Sequence, residues 1–149
     1  MSRPMIALLL AVIVINSGGR SAADQIRSVP EAALLSAPKS FVGQKIRLDR
    51  IYCVDPGKAG FVCLKEVDGQ YLMVEGLVMG ASTPQSIAEL LIGGCKGTAN
   101  LGAERCKMAV EFEVTAAIRE MIETDSGSVQ RVTLATGVLE FYPTRRAKR

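Results

Sequence analysis

The four cysteines constrain the fold of this chain more than any other feature, because a disulfide holds two segments of a small domain side by side. They are Cys53, Cys63, Cys95 and Cys106, and an even number in a short secreted chain is typical of two disulfides. Three pairings are possible. The local one is favoured, because Cys53 and Cys63 flank a strand–turn–strand segment centred on Pro56-Gly57, while Cys95 and Cys106 enclose a loop that contains Gly and Asn.

A zinc site made of all four cysteines is the competing interpretation. Structural zinc sites usually hold their cysteines two to four residues apart within each half, and the cysteines of this chain are much farther apart. A redox-active pair is disfavoured too, because no Cys-x-x-Cys is present. We therefore expect structural disulfides, with no metal and no cofactor.

The first 23 residues have the three parts of a secretory signal peptide. Arg3 gives a positive start, an apolar run extends from Met5 to Ile15, and a small polar stretch ends in Ser21-Ala22-Ala23. The run is shorter than the roughly 20 residues that span a bilayer, so cleavage after Ala23 is favoured over a retained anchor. The absence of cysteine from these residues excludes a bacterial lipoprotein anchor. We expect a mature protein without a membrane span, periplasmic or secreted.

The charge of the mature chain differs from that of the whole sequence, which has 18 Lys and Arg against 15 Asp and Glu. Two of the basic residues lie in residues 1–23 and four in a tail, residues 144–149. The expected domain, residues 24–143, thus has 12 basic against 15 acidic residues. Nucleic-acid binders draw affinity from Lys and Arg that neutralise phosphates, so nucleic acid is a disfavoured partner. The basic tail is expected to be solvated; it consists of Arg145, Arg146, Lys148 and Arg149.

The chain contains no His, the commonest general acid or base near neutral pH and the commonest metal ligand. Nucleophiles activated by His are excluded, as are His-based metal sites. Glu111 and Glu113 alternate on one predicted strand, but a carboxylate pair for glycosidic chemistry must flank a substrate cleft. Residues two apart on a strand face the same way, usually toward water. We therefore expect that the protein is not an enzyme.

Three strands are predicted in the first half of the chain. The first extends from Lys45 to Asp55, and its apolar alternation slips near Arg50-Ile51, which indicates a β-bulge or a strong coil. The second extends from Gly60 to Val67 and the third from Gln70 to Leu77. Asp68-Gly69 between them is a strong signal for a two-residue hairpin turn.

Two helices are predicted. Ser28-Val29-Pro30-Glu31 has the spacing of a capping box and begins a short helix that ends before Pro38. A longer helix begins at Ser82-Thr83-Pro84-Gln85, with Ser82 or Thr83 as the cap, and ends at Gly93-Gly94.

The segment from Lys107 to Glu123 is predicted as one long strand with a bulge near Glu120, although its second half also has the composition of a helix. Asp125 to Ser128 is a predicted turn. The last strand extends from Val129 to Tyr142, with a bend at Gly137.

This order of elements is that of a mainly β fold, the five-stranded Greek-key OB-fold barrel, with one helix between strands three and four and a short N-terminal helix. A small α+β sheet is the alternative if the second half of the Lys107 to Glu123 segment is helical. The chain resembles the exported bacterial OB-fold proteins, including the tRNA-anti-like group. The resemblance rests on the segment from Phe41 to Leu48 and on the strand–helix order as far as Tyr142, and it implies no tRNA binding by an exported, acidic domain.

OB-folds bind ligands on the face of strands two and three, beside the loops that join strands one to two and four to five. Those loops are Pro56 to Gly60 and Thr124 to Ser128. The face is expected to present Met73 and Lys65 with Tyr71, and Tyr52 and Lys58 lie at its edge. The candidate binding residues are therefore Tyr52, Lys58, Lys65 and Tyr71.

The predicted function is that of a non-enzymatic binding module in the cell envelope, whose partner is a protein, a peptide, a glycan or a small ligand. The alternative is an exported binder of nucleic acid or another polyanion that uses the basic tail with Lys58 and Lys65. A hydrolase built from carboxylates would need a cleft that joins Glu111 or Glu113 to a third carboxylate.

Overall fold

The computed structural model describes residues 25–145, and the predicted signal peptide and the last four residues of the basic tail lie outside this range. No helix in the described residues is long and apolar enough to cross a membrane. The helices are α1 (Glu31–Ser36) and α2 (Gln85–Ile92). The strands are β1 (Arg27–Ser28), β2 (Lys45–Val54), β3 (Phe61–Val67), β4 (Gln70–Met79), β5 (Lys107–Glu113), β6 (Ala116–Thr124) and β7 (Gly127–Tyr142).

Five of the strands follow one another in a closed ring of hydrogen-bonded pairs, in the order β2, β3, β4, β7, β5 and back to β2. The pairing of β4 with β7 is parallel, and the other pairings in the ring are antiparallel. β1 lies beside the first half of β2, and β6 forms a hairpin with β7. The prediction of a mainly β fold with few helices is confirmed.

The irregularity of β2 allows this strand to pair with different neighbours along its length. Its register with β5 shifts between Leu48 and Ile51, and Arg50 has a positive φ of 54°. Tyr52 and the two residues after it pair with β3, whereas the first half of the strand lies beside β1. The bulge predicted near Arg50-Ile51 is confirmed.

The core fills the inside of the ring, and the two helices lie near opposite ends of β4. Leu34 and Leu35 of α1 are buried near the start of β4, and Leu91 of α2 is buried beyond its end. Between them, alternate residues of the strands point inward, because successive side chains of a strand face opposite sides. Fully buried examples are Ile46, Leu48, Leu72, Val74, Val132 and Leu134.

Both predicted disulfides are present. Cys53 and Cys63 lie directly opposite each other in the β2–β3 ladder, with a Cα–Cα distance of 4.1 Å. Cys95 and Cys106 connect the segment after α2 to the residue before β5, with a Cα–Cα distance of 5.7 Å. The local pairing is therefore confirmed, and the described residues contain no free cysteine.

The prediction of one strand from Lys107 to Glu123 is wrong, because the chain divides there into β5 and β6. Val114 leaves the end of β5 and donates its backbone N–H to Gln44, while Thr115 donates to the carbonyl of Ala135 on β7. From Ala116 onward the register with β7 is continuous, so the bulge expected near Glu120 is absent. The helical alternative for this segment, and the α+β fold that depended on it, are also wrong.

The burial pattern of β7 changes at Gly137, where the sequence predicts a bend, and the bend itself stays a prediction. Val132, Leu134 and Thr136 are buried before it, and Leu139 and Phe141 are buried after it. The inward positions thus change from even to odd residue numbers at the glycine.

The predicted helix caps are wrong. The residues before α1 and α2 are Pro30 and Pro84, and neither helix has a side-chain capping bond. Glu31 instead pairs with Lys65, and the Thr83 hydroxyl accepts a hydrogen bond from the backbone N–H of Phe141. The side chains of Glu31 and Thr83, which were expected to cap the helices, thus make contacts with distant strands instead.

Candidate ligand-binding groove

A cavity of about 800 Å³ opens beside the loop that joins β2 to β3. Its lining comes from that loop, including Lys58, and from β3, β4 and β7. Val62, Glu75 and Ala135 form a row across these three strands, so their side chains share one face of the sheet. At the rim, Leu77 is 70% exposed, although it is a large apolar residue. The cavity therefore combines an apolar wall with charged groups.

Glycines bring the backbone segments close together at this cavity. Gly60 has a positive φ of 96°, and a Cβ atom at this position would lie 2.5 Å from the carbonyl oxygen of Gly76. Positive φ costs little for glycine and strains other residues. The loop therefore lies directly against β4.

The two disulfides brace two neighbouring loops that line the cavity. Cys53–Cys63 closes the stem of the 55–60 loop, and Cys95–Cys106 closes the loop that contributes Thr98 to the lining. Asp55 links the two loops: its N–H donates to the Cys95 carbonyl at 3.0 Å, and its carbonyl accepts from the Gly97 N–H at 2.6 Å. Each wall is thus cross-linked, and the walls are hydrogen-bonded to each other.

A second cavity, of about 360 Å³, lies where β5 and β7 diverge. The ladder between these strands has its last pair at Glu111 and Glu140, and the chain rejoins β7 where Thr115 bonds to Ala135. The two cavities share Thr115, Thr136 and Gly137 in their linings. We refer to the two adjoining cavities together as the groove.

The charged residues that line the second cavity are Glu111, Glu113, Glu140 and Lys45. Lys45 and Glu113 lie directly opposite each other in the β2–β5 ladder. Arg47 lies beside this cavity with a side chain only 10% exposed, and donates to Glu111 at 2.8 Å. An ion pair shielded from water in this way is harder to screen than a surface pair. Sequence reasoning placed Glu111 on a strand face directed toward water and missed its partner, which lies 64 residues earlier in the chain.

Tyr142 and Glu140 form a second polar contact at this end of the groove. The Tyr142 hydroxyl donates to Glu140 at 2.6 Å, and the Arg47 guanidinium lies 5.6 Å from the centre of the Tyr142 ring. The hydrogen bond to Glu140, followed by burial and the nearby carboxylate charges, raises the pKa of Tyr142 to about 12. Within residues 25–145 no cluster of three or more potential ligands is placed to hold a metal ion.

The predicted binding residues do not all lie together. Lys58 lines the large cavity. Tyr52 lies on β2 in a row with Leu64 and Met73, and the Lys107 ammonium lies 5.2 Å from the centre of its ring. Tyr71 lies near the start of β4, away from the cavity. Binding by these residues stays a prediction.

The expected placement of Lys65 beside Tyr71 is wrong. Lys65 is opposite Leu72, a buried residue, so its side chain and that of Tyr71 lie on opposite sides of the sheet. Its ammonium donates to Glu31 at 2.5 Å and to the Asp49 carbonyl at 3.1 Å. Burial raises the pKa of the Glu31 carboxyl, but Lys65 and the Glu31 backbone N–H outweigh that effect and leave the pKa below its usual value. Lys65 therefore anchors α1.

The two predicted loops do not flank one cleft. The 55–60 loop lines the large cavity near Gly137, whereas the β6–β7 turn lies at the start of β7. At about 3.3 Å per residue, the length of strand between Ser128 and Gly137 is about 30 Å. The second wall comes from the loop closed by Cys95 and Cys106, a contribution that the cysteine spacing alone did not indicate.

Comparison with known proteins gives little guidance. No family model matches the chain, and no curated protein matches it. A solved structure, described as that of a putative aspartyl-tRNA synthetase from Leishmania major Friedlin, is similar at 13% sequence identity with a TM-score of 0.44. The similarity covers 93% of this chain but only 24% of that protein's chain. We base no argument on a similarity this distant.

Proposed function

We propose that this protein is an exported, non-enzymatic binding module with an OB-fold, and that its ligand lies in the groove. The ring order β2, β3, β4, β7, β5, with α2 between β4 and β5, supports the OB-fold assignment. In that fold the face of the second and third strands and the loop before them bind ligands, and the large cavity occupies this position.

The observation that carries the proposal is the bracing of the cavity by both disulfides. Ordering loops around a ligand costs free energy, so a site whose walls are already fixed loses less on binding. Cavities of several hundred Å³ with mainly apolar walls and a few polar groups are typical ligand sites. The 55–60 loop and the loop that contains Thr98 are fixed by their disulfides and by the hydrogen bonds of Asp55.

The export part of the proposal is supported by the leader pattern in residues 1–23 and by the two disulfides, which persist in oxidising compartments. Mass spectrometry of the protein purified from its own cell should find a chain that begins near Asp24 and carries no free thiol before reduction. A full-length, fully reduced chain in the cytosol would reject export.

Fragment screening by NMR tests the binding site directly. A mixture of apolar and amphipathic fragments should shift the backbone amide signals of Val62, Glu75 and Ala135. Leu77→Arg should abolish these shifts by filling the cavity mouth. Met121→Arg is the matched control, because Met121 is 65% exposed on β6 and lines neither cavity. Shifts that persist in Leu77→Arg, or no shifts in the wild-type protein, would reject the groove as the site.

A further inference from the structure

We propose that the protein forms a dimer in which the free edges of two β6 strands pair antiparallel, with Met121 at the twofold axis. This inference is independent of the proposed function, because neither cavity of the groove has a residue of β6 in its lining. It rests on the unpaired edge of β6, on the apolar side chains that this strand exposes, and on the charge pattern of its second half.

In the described part of the chain, β6 is an edge strand. Its one ladder is with β7, and no backbone hydrogen bond joins residues 116–124 to any other element there. Only every second residue of an antiparallel strand bonds to its opposite, so the remaining residues direct their N–H and C=O groups away from β7. The segment before β2 lies beside the start of this edge, where Gly43 and Gln44 bond to Val114. Pairing with another strand is therefore open to the second half, residues 119–124.

Few features of β6 protect this edge from pairing. Natural edge strands are protected by short length, proline, bulges or charges. β6 has nine residues without Gly or Pro, and its register with β7 is continuous, so its charges are the protection that remains. The strand also exposes two large apolar side chains, Ile118 at 59% and Met121 at 65%, one on each face. Covering them with a second strand would favour association.

The charges of β6 select both the partner and the register. In a twofold dimer each copy presents the same surface, so that surface must be complementary to itself. Pairing centred on Met121 places Arg119 of each copy opposite Glu123 of the other. Registers centred on Arg119, Glu120 or Glu123 would instead place like charges opposite each other, which is destabilising. A register centred on Ile122 would lose the ion pair. The second half of β6 is thus complementary to a second copy of itself in one register.

Both members of this ion pair have groups available for it. Arg119 donates to the carbonyls of Leu35 and Ser36 through Nη2, which leaves its Nη1 and Nε atoms. Glu123 accepts the Ser128 hydroxyl through one oxygen, which leaves the other. Glu123 is exposed and, among the described residues, has no basic group within 4 Å. The contact of Arg119 with α1 is therefore kept in the dimer.

Sedimentation equilibrium of the purified protein tests the association. The wild-type protein should show a reversible equilibrium between monomer and dimer. Glu123→Arg should weaken dimerisation at least tenfold, because Arg119 of the other copy then meets a like charge. Glu66→Arg is the matched control, since it makes the same change of charge at an exposed position of β3 and should dimerise as the wild type does. A monomeric wild-type protein, or equal effects of the two variants, would overturn the proposal.

An exchange of charges tests the pairing of Arg119 with Glu123. Arg119→Glu should also weaken self-association, because Glu123 of the other copy then meets a like charge. An equimolar mixture of the Arg119→Glu and Glu123→Arg proteins should recover dimers, since each supplies the charge that the other lacks. Far-UV circular dichroism checks that both variants fold. A mixture of folded variants that stays monomeric would contradict the assigned register.

A single added cysteine tests the register without a change of charge or of the contact with α1. In the Met121→Cys protein the two copies of residue 121 lie directly opposite, with Cβ atoms about 5 Å apart, so mild oxidation should give a cross-linked dimer. Ile118→Cys is the matched control, because Ile118 is similarly exposed but lies six residues from its counterpart, about 20 Å away. Non-reducing electrophoresis measures both. Cross-linking that is absent at 121, or no stronger there than at 118, would refute the pairing.

Discussion

Removal of the Cys95–Cys106 disulfide should destabilise the protein by an amount that the loop length predicts. The two residues are 11 apart in sequence. The chain-entropy model gives about 3 kcal/mol for a loop of this size at 25 °C, because the bridge restricts the unfolded chain. With a urea m-value of about 1.5 kcal/mol per M, the unfolding midpoint of Cys95→Ala/Cys106→Ala should fall by about 2 M.

Urea unfolding followed by far-UV circular dichroism measures this change, since the chain has no Trp for fluorescence. Cys53→Ala/Cys63→Ala is the matched variant, because these cysteines are 10 apart and equally buried. The two variants should lose the same free energy of unfolding within about 1 kcal/mol, because the entropy of loop closure changes little between loops of such similar lengths. A loss below about 1 kcal/mol for either variant would refute the entropic reasoning.

Hydrogen exchange separates the loss of global stability from the local opening of the loop that Cys95 and Cys106 close. In Cys95→Ala/Cys106→Ala the loop that contains Gly97 loses its cross-link. The N–H groups of Leu101 and Ala103, which bond to carbonyls of the same loop, should therefore exchange faster than global unfolding allows. In the matched variant these amides should remain protected up to the global limit. Equal protection in both variants would show that the disulfide does not hold this wall of the cavity.

Three further predictions concern polar contacts. Arg47→Met should lower the free energy of unfolding by about 1–3 kcal/mol, because it removes the charged hydrogen-bond partner of the partly buried Glu111, and adding Glu111→Leu should recover most of that loss in urea titrations. Tyr142 should ionise near pH 12 in a 295 nm titration compared with Tyr142→Phe, and Glu140→Gln should move its pKa toward 10. Because folding raises this pKa, its stabilising effect is fully present below pH 10 and is lost as the pH rises toward 12. Arg119→Ala should lower the free energy of unfolding by about 0.5–1.5 kcal/mol in thermal or urea unfolding, because it removes the donor for two carbonyls at the end of α1.

The parts of the fold that the sequence predicted correctly have local causes. The Asp68-Gly69 turn, the slip near Arg50 and the pairing of Cys53 with Cys63 each depend on residues within one strand or one hairpin. Asp68 and Gly69 both adopt positive φ, as a hairpin turn of this type requires.

The errors have nonlocal causes. The break at Val114-Thr115 contains no Gly or Pro, and it occurs because these residues bond to Gln44 and Ala135, far away in the sequence. Lys65 was assigned to the wrong face of β3, because the sequence of this strand does not show that α1 brings Glu31 to it. Lys65 forms its ion pair with that residue. The small cavity arises where β5 and β7 diverge, and neither strand's own sequence indicates that separation.

The position of β7 in the ring has a consequence for how the protein is made. In the described part of the chain, β7 joins β4 to β5, and it is the last strand to leave the ribosome or a translocation channel. Until it emerges, β4 and β5 each present an unsatisfied edge, which is a template for intermolecular pairing. The nascent chain therefore depends on β7 for protection from aggregation, and a factor that shields strand edges would act before this strand arrives.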